Sequence, residues 1–206
     1  VGKRAFRVDV RRKVLGFGKY PDDLDQRDFP DMVFASAVRS RFPRARVVKI
    51  DFEKAAKQPG ILGILTADDV PVNQVGHLIQ DWDVMIAEGD ITRCVGDAIV
   101  LVVGETPAQV ERAKKFVKVT YEQLEPVRNI AEAAAPDAPL IHDGFLAFGN
   151  QVKLENNICQ QRHVTRGDAK TALENSAFTA TQSFTTPYTE HAFLEPECAV
   201  AAPYKD

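Results

Sequence analysis

An α+β fold in two parts is predicted for this chain, on three observations. Val95 to Val127 reads as strand, capped helix, strand. Residues 44–52 alternate apolar and polar side chains, as a half-buried strand does. The run Ala134-Ala135-Pro136-Asp137-Ala138-Pro139 has the composition of a linker.

Taken in order, residues 1–30 are charged and turn-rich, punctuated by Gly16-Phe17-Gly18 and Tyr20-Pro21-Asp22-Asp23. Met32 to Val38 is apolar enough for a first strand. After the Phe42-Pro43 turn, Ala45, Val47, Val48 and Ile50 interleave with Arg46, Lys49 and Asp51 in a second. Asp51 is placed to cap a short helix over 52–57, which Pro59-Gly60 ends. Ile61 to Leu65 reads as a buried strand, and Thr66 as the cap of one helical turn. Val70 to Gly89, with the only tryptophan, Trp82, reads as an irregular excursion.

Ala98 to Val103 is a short β-branched run broken by Gly104. Thr106 then caps a helix with Pro107 at its first position, where a missing N–H costs nothing. Ala108, Val110, Ala113 and Phe116 are expected to share its buried face. Lys114 and Lys115 suit its C-terminus through the helix dipole. Val117, Val119 and Tyr121 alternate with Lys118 and Thr120 in the next strand. Asn129 is expected to cap Ile130 to Ala135, and residues 140–157 are loop-like. Beyond them Ile158 to Thr165, Ala177 to Thr185 and Ala192 to Ala202 read as strands, and Asp168 as the cap of a helix over 169–175.

Composition narrows the function. The chain has 206 residues, 45% hydrophobic and 27% charged, enough for one or two globular domains. The net charge is -3, and the only dense basic cluster is Lys3 to Lys13, which argues against a nucleic-acid partner. No apolar run approaches the ~18 residues that span a bilayer, so no membrane partner is expected. Cys94, Cys159 and Cys198 form no Cys-x-x-Cys pair, which fits a reducing cytoplasm. The start at Val1 and the stop after an apolar run read as a piece of something longer.

Taken singly, the chemistry-bearing residues are sparse. His77, His142, His163 and His191 have no metal-ligand spacing, and no metal site is expected. Gly16-Phe17-Gly18 lacks the rest of a dinucleotide loop, and no Gly-x-Ser-x-Gly elbow occurs. The densest polar cluster, Glu190, His191, Glu195 and Glu197, reads either as an ordinary strand end or as the wall of a site.

Read together, the segments resemble one family. The pieces are Val1-Gly2-Lys3 with Arg7, Asp9 and Gly16; Tyr20 with Asp22-Asp23; Ala35-Ser36; and Pro59-Gly60-Ile61. Leu65-Thr66-Ala67-Asp68-Asp69-Val70-Pro71, Val95-Gly96-Asp97, Glu105-Thr106 and Val119-Thr120-Tyr121-Glu122 follow, then Gly167-Asp168 and Glu190-His191-Ala192-Phe193-Leu194-Glu195-Pro196. In that order they resemble the N-terminal part of the molybdopterin-binding large subunit of the xanthine dehydrogenase/aldehyde oxidase enzymes.

The resemblance implies an α/β-hammerhead domain with an N-terminal lead-in over residues 1–139. Residues 140–206 would be a linker and the truncated start of a mixed α+β molybdopterin-binding domain. It implies a molybdenum-dependent oxidoreductase that hydroxylates an electron-poor carbon of an N-heterocycle or aldehyde, with water as the oxygen source. Iron–sulfur clusters and FAD belong to partner domains or subunits, and the metal centre carries the chemistry. The family's glycine-rich cofactor loop and catalytic glutamate lie downstream. No catalytic residue is therefore expected here, and the chain alone is expected to be inactive and to bind no cofactor. Thr189 and Glu190 are the residues placed near the cofactor, and Thr189 stands where purine- and aldehyde-type members commonly carry glutamine. The competing reading is a non-catalytic scaffold or binding module with the same fold.

Overall fold

The structure, a computed structural model, describes residues 2–76, 80–142, 157–158, 163–187, 189–192 and 197–203. In chain order the helices are α1 (Val10–Val14), α2 (Glu53–Ala56), α3 (Pro107–Lys114), α4 (Ile130–Ala133) and α5 (Ala169–Glu174). The strands are β1 (Phe34–Arg39), β2 (Ala45–Asp51), β3 (Ile61–Leu65), β4 (Gln74–Val75), β5 (Trp82–Asp83), β6 (Ala98–Gly104) and β7 (Lys118–Gln123). The chain divides into two compact units, Val33–Val164 and a second formed by Val1–Met32 with Thr165–Asp206.

The larger unit is built around β6. This strand is the middle of a three-stranded antiparallel sheet, β1-β6-β3. Ser36 and Ile64 lie on either side of Val102 in the ladder. Ile99 and Val100, consecutive and pointing to opposite faces, are both fully buried, so both faces of the strand are covered. That is why its sequence is an unbroken apolar run rather than an alternation. Gly104 ends it at a close approach: an added Cβ would lie 2.8 Å from the Gly60 carbonyl oxygen. That carbonyl accepts the Glu105 N–H at 2.9 Å, tying the end of β6 to the start of β3.

Helix α3 follows at once and packs on β1 and β6. Thr106 caps it by accepting the Gln109 N–H at 3.3 Å, with Pro107 at the first position. Lys114 Nζ donates to Ser36 Oγ and Glu111 Oε1, both at 2.8 Å, pinning the helix to β1. Val110 and Ala113 face the core as expected. Ala108 is exposed, and Phe116 lies beyond the helix end with 39% of its surface exposed. The apolar stripe is narrower than the pattern suggested because the helix stops at Lys114. Thr106→Ala is expected to cost about 0.5–2 kcal/mol, read as a lowered urea midpoint with unchanged slope.

Strands β2 and β7 pair as a separate antiparallel ladder whose register shifts between Val47 and Lys49. The shift explains the Val47-Val48 doublet. Ala45 and Val47 are buried and Val48 and Lys49 both point out, so the extra residue of the bulge lets Ile50 turn inward again. Asp51 does not cap α2 at the usual position, but its Oδ1 accepts the Glu53 N–H at 3.2 Å. The Asp69 carboxylate accepts the Thr66 N–H at 2.8 Å and closes the single turn Ala67–Asp69. Asn129 accepts the Glu132 N–H at 2.9 Å and caps α4.

The excursion over 70–89 is more ordered than expected. It carries the β4–β5 ladder, Gln74 opposite Asp83 and Val75 opposite Trp82. The Asn73 amide clamps Met85 through both backbone groups, at 2.8 and 3.0 Å, and Met85 and Ile86 enter the core. Single-residue pairings of this kind leave no periodicity in a sequence.

In the second unit α1 was not foreseen, and its basic residues are exposed, with Arg7 and Lys13 paired to Asp9. Asp168 caps α5 by accepting the Thr171 N–H at 3.1 Å. The strand expected over Ala177 to Thr185 is absent: these residues are irregular, with Phe178 95% and Phe184 83% exposed. Alternation sorts side chains between two faces, but a strand also needs a ladder partner, and none of the described strands pairs with this segment. The described residues of Ala192 to Ala202 are likewise not strand. Of the strand expected over Ile158 to Thr165, residues 159–162 lie outside the described residues and the described ones are not strand; His77 and residues 193–196 also lie outside them.

Candidate functional site

Thr189 and Glu190 lie on exposed, irregular backbone. The Glu190 carboxylate accepts the N–H of its own neighbour His191 at 2.7 Å, and Ala192 adopts a left-handed φ of 50°. Within the polar cluster seen in the sequence His191 Nδ1 lies 3.5 Å from Glu190 Oε1, Glu197 is exposed, and Glu195 lies outside the described residues.

A more organised constellation lies where the sequence shows only the Val95-Gly96-Asp97 motif. It is the turn from Arg93 to Asp97, between the core strands. Asp97 is 6% exposed and its Oδ2 accepts the Arg93 N–H at 2.6 Å and the Cys94 N–H at 3.1 Å. Its Oδ1 accepts the Cys94 thiol at 3.0 Å. Gly96, at φ +102°, makes the turn, and the Ser40 backbone exchanges hydrogen bonds with Gly96 and Asp97. The Arg93 guanidinium pairs with Asp83 on β5 and donates through Nε to the Ile141 carbonyl at 3.0 Å. A groove of about 410 Å³ opens beside it, lined by Arg44, Arg46, Asp83, Asp90, Arg93 and Ile141 among others.

The chemistry of this place is positioning. Arg46 and Arg44 donate to the carbonyls of Gly89 and Glu125, so the guanidinium groups are engaged with the protein itself. Burial, and then the Asp97 carboxylate, push the Cys94 thiol from its ordinary 9.0 up to about 11. It is protonated at neutral pH and no nucleophile there. Alkylation of Cys94 in the folded protein is expected to rise with pH toward about 11, against 9.0 in denaturant, read by peptide mass spectrometry. The folded thiol keeps its proton longer than the unfolded one. The associated stability is therefore full below 9.0 and lost as pH climbs to about 11. Among the described residues no group of three or more His, Cys, Asp or Glu is placed to hold a metal ion.

The constellation is built of turns and clamps, and the matches to known proteins identify the fold it belongs to. A family model described as aldehyde oxidase and xanthine dehydrogenase, a/b hammerhead domain, matches residues 16–125. The chain belongs to the aldehyde oxidase and xanthine dehydrogenase family. It is 31% identical to the nicotinate dehydrogenase large molybdopterin subunit of Eubacterium barkeri, over 98% of this chain and 44% of that subunit. It is 32% identical to a probable xanthine dehydrogenase subunit of Bacillus subtilis (strain 168), over 97% of this chain and 25% of that protein. In structure it resembles the CO dehydrogenase of Oligotropha carboxidovorans, with a TM-score of 0.61, 31% identity, and coverage of 68% of this chain and 17% of that one. The chain thus spans less than half the length of these relatives. These relatives are oxidoreductases by name, and the hammerhead assignment accounts for the mixed α+β architecture.

The hydrogen bonds show what several of the sequence motifs hold together. Val95-Gly96-Asp97 is the turn closed by the buried carboxylate. Thr66 to Asp69 is the clamped single turn, and Gly60 and Thr106 fasten β3 and α3 to β6. Among the described residues no helix is long and apolar enough to cross a membrane.

Proposed function

We propose that this chain is the opening part of the molybdopterin-binding large subunit of a molybdenum-dependent hydroxylase. Residues 1–139 form the hammerhead domain with its lead-in, and 140–206 the start of the molybdopterin-binding domain. The observation that carries this reading is the match across 98% of the chain to a subunit named for its molybdopterin. The complete enzyme hydroxylates an electron-poor carbon of an N-heterocycle or aldehyde with oxygen from water, in the cytoplasm. Its partners are the remainder of the subunit, iron–sulfur and FAD domains or subunits, and a small-molecule substrate.

The residues present do not by themselves fit the cofactor. Thr189 and Glu190 are exposed on irregular backbone, and no described cavity encloses them. They are proposed to approach the cofactor only once the rest of the subunit folds against them. No reaction step is therefore assigned to a residue of this chain, and the isolated chain is proposed to be inactive. The scaffold reading draws on a different observation, that Val33–Val164 holds a hydrophobic core of its own.

Metal analysis of the native full-length gene product, grown with ample molybdate, tests the proposal. Molybdenum stoichiometric with the chain, with iron in a copurifying domain or subunit, is the expected result. Protein free of molybdenum under those conditions overturns it and leaves the scaffold reading.

A further inference from the structure

The segment after α4 has the composition of a linker, yet it is fastened at several points. Arg93 Nε donates to the Ile141 carbonyl at 3.0 Å, and the Ile141 N–H is taken by Asn157 Oδ1 at 2.8 Å. The Asn157 amide also donates to the carbonyls of Ala133 and Pro139, at 3.0 and 3.1 Å. Three backbone groups around one short stretch are thus bound by a single side chain. His142 rests its ring 6.2 Å from that of Trp82 on β5, with Nδ1 3.8 Å from Asp81. Arg93 itself is held: its side chain is 22% exposed and that of Asp83 only 10%. Its backbone N–H is fixed by Asp97.

We propose that Arg93 is the pin of a strap. The guanidinium, oriented by Asp83, holds residues 139–142 down on the β4–β5 hairpin, and Asn157 closes the strap from its other side. The stretch from Pro139 to His142 is then tied to the hammerhead fold rather than free beyond the end of α4. A flexible linker would let these residues wander, whereas a pinned one fixes them. Arg suits the pin because its planar head serves a carboxylate and a carbonyl at once, which a lysine ammonium on a flexible stem does less rigidly.

The test is hydrogen–deuterium exchange on the full-length gene product. Arg93→Gln, Asp83→Asn and Asn157→Ala are each compared with the parent. Exchange in peptides covering 134–142 is expected to speed up about tenfold or more in all three, the factor that goes with one lost charge-assisted or bidentate contact. Peptides from β6 are expected to stay protected, and Arg44→Gln, at the same groove, to leave the strap unchanged. Strap exchange at the parent rate in Asp83→Asn and Asn157→Ala overturns the proposal, even if Arg93→Gln does not fold. A rise shared equally by the strap and β6 also overturns it, since that reports general loosening of the core. Neither readout depends on molybdenum or turnover.

Discussion

Ile99→Ala is expected to remove a large share of the stability of the unit Val33–Val164. Ile99 is fully buried at the centre of β6, against a core that includes Val47, Ile86, Val102 and Val110. Truncating a buried isoleucine removes its transfer free energy and leaves a cavity that the covered sheet has little room to close. The cost is about 2–5 kcal/mol, against a total stability of about 5–15 kcal/mol for a domain. Chemical denaturation followed by tryptophan fluorescence reads this, since Trp82 lies on the same unit. Val48→Ala is the comparison: Val48 is 50% exposed on the outer side of the bulge, and a change under about 0.5 kcal/mol is expected. Equal losses at the two sites would contradict the described core.

The second large effect is expected from Asp97→Ala. The substitution takes the acceptor from two backbone N–H groups at once, those of Arg93 and Cys94, in a partly buried turn. Each donor left without a partner costs about 1–3 kcal/mol. Two further consequences separate this from simple destabilisation. The Cys94 thiol loses the carboxylate that helps raise its pKa, so it is alkylated faster at a given pH while the protein is still folded. Arg93 also loses its backbone anchor. Ser40→Ala, which removes a hydroxyl bonded to the local backbone at Phe42, is expected to alter stability but not thiol reactivity.

What the sequence disclosed was decided locally. The Thr106-Pro107 helix start, the Asn129 and Asp168 caps and the strand–helix–strand unit at 95–127 rest on neighbours within a few residues, and they appear where expected. The bulge at Val47-Val48 was not foreseen, because the run around it reads as a plain alternation. Ala177 to Thr185 shows the limit of that reasoning, because the partner a strand requires is not written in the strand. The turn at Asp97 was legible only as a family motif. Its function depends on Asp83 and Ile141, which stand 10 and 48 residues from Arg93. The same holds for Asn157, whose reach back to Ala133 and Pro139 leaves no trace in spacing or periodicity.

The place of β6 between β1 and β3 has a consequence for how the protein is made. The outer two strands are both synthesised before the strand that joins them, and they do not pair with each other. A nascent chain that has emerged only as far as Val95 therefore displays two apolar strands, each with open backbone on both edges. Translation must continue through Gly104 before either is satisfied, and through Ala113 before α3 can cover them. The interval is a window for mispairing and aggregation on the ribosome. Synonymous changes that slow elongation while residues 66–97 are leaving the ribosome are expected to lower soluble yield more than equal delays after residue 125 has emerged.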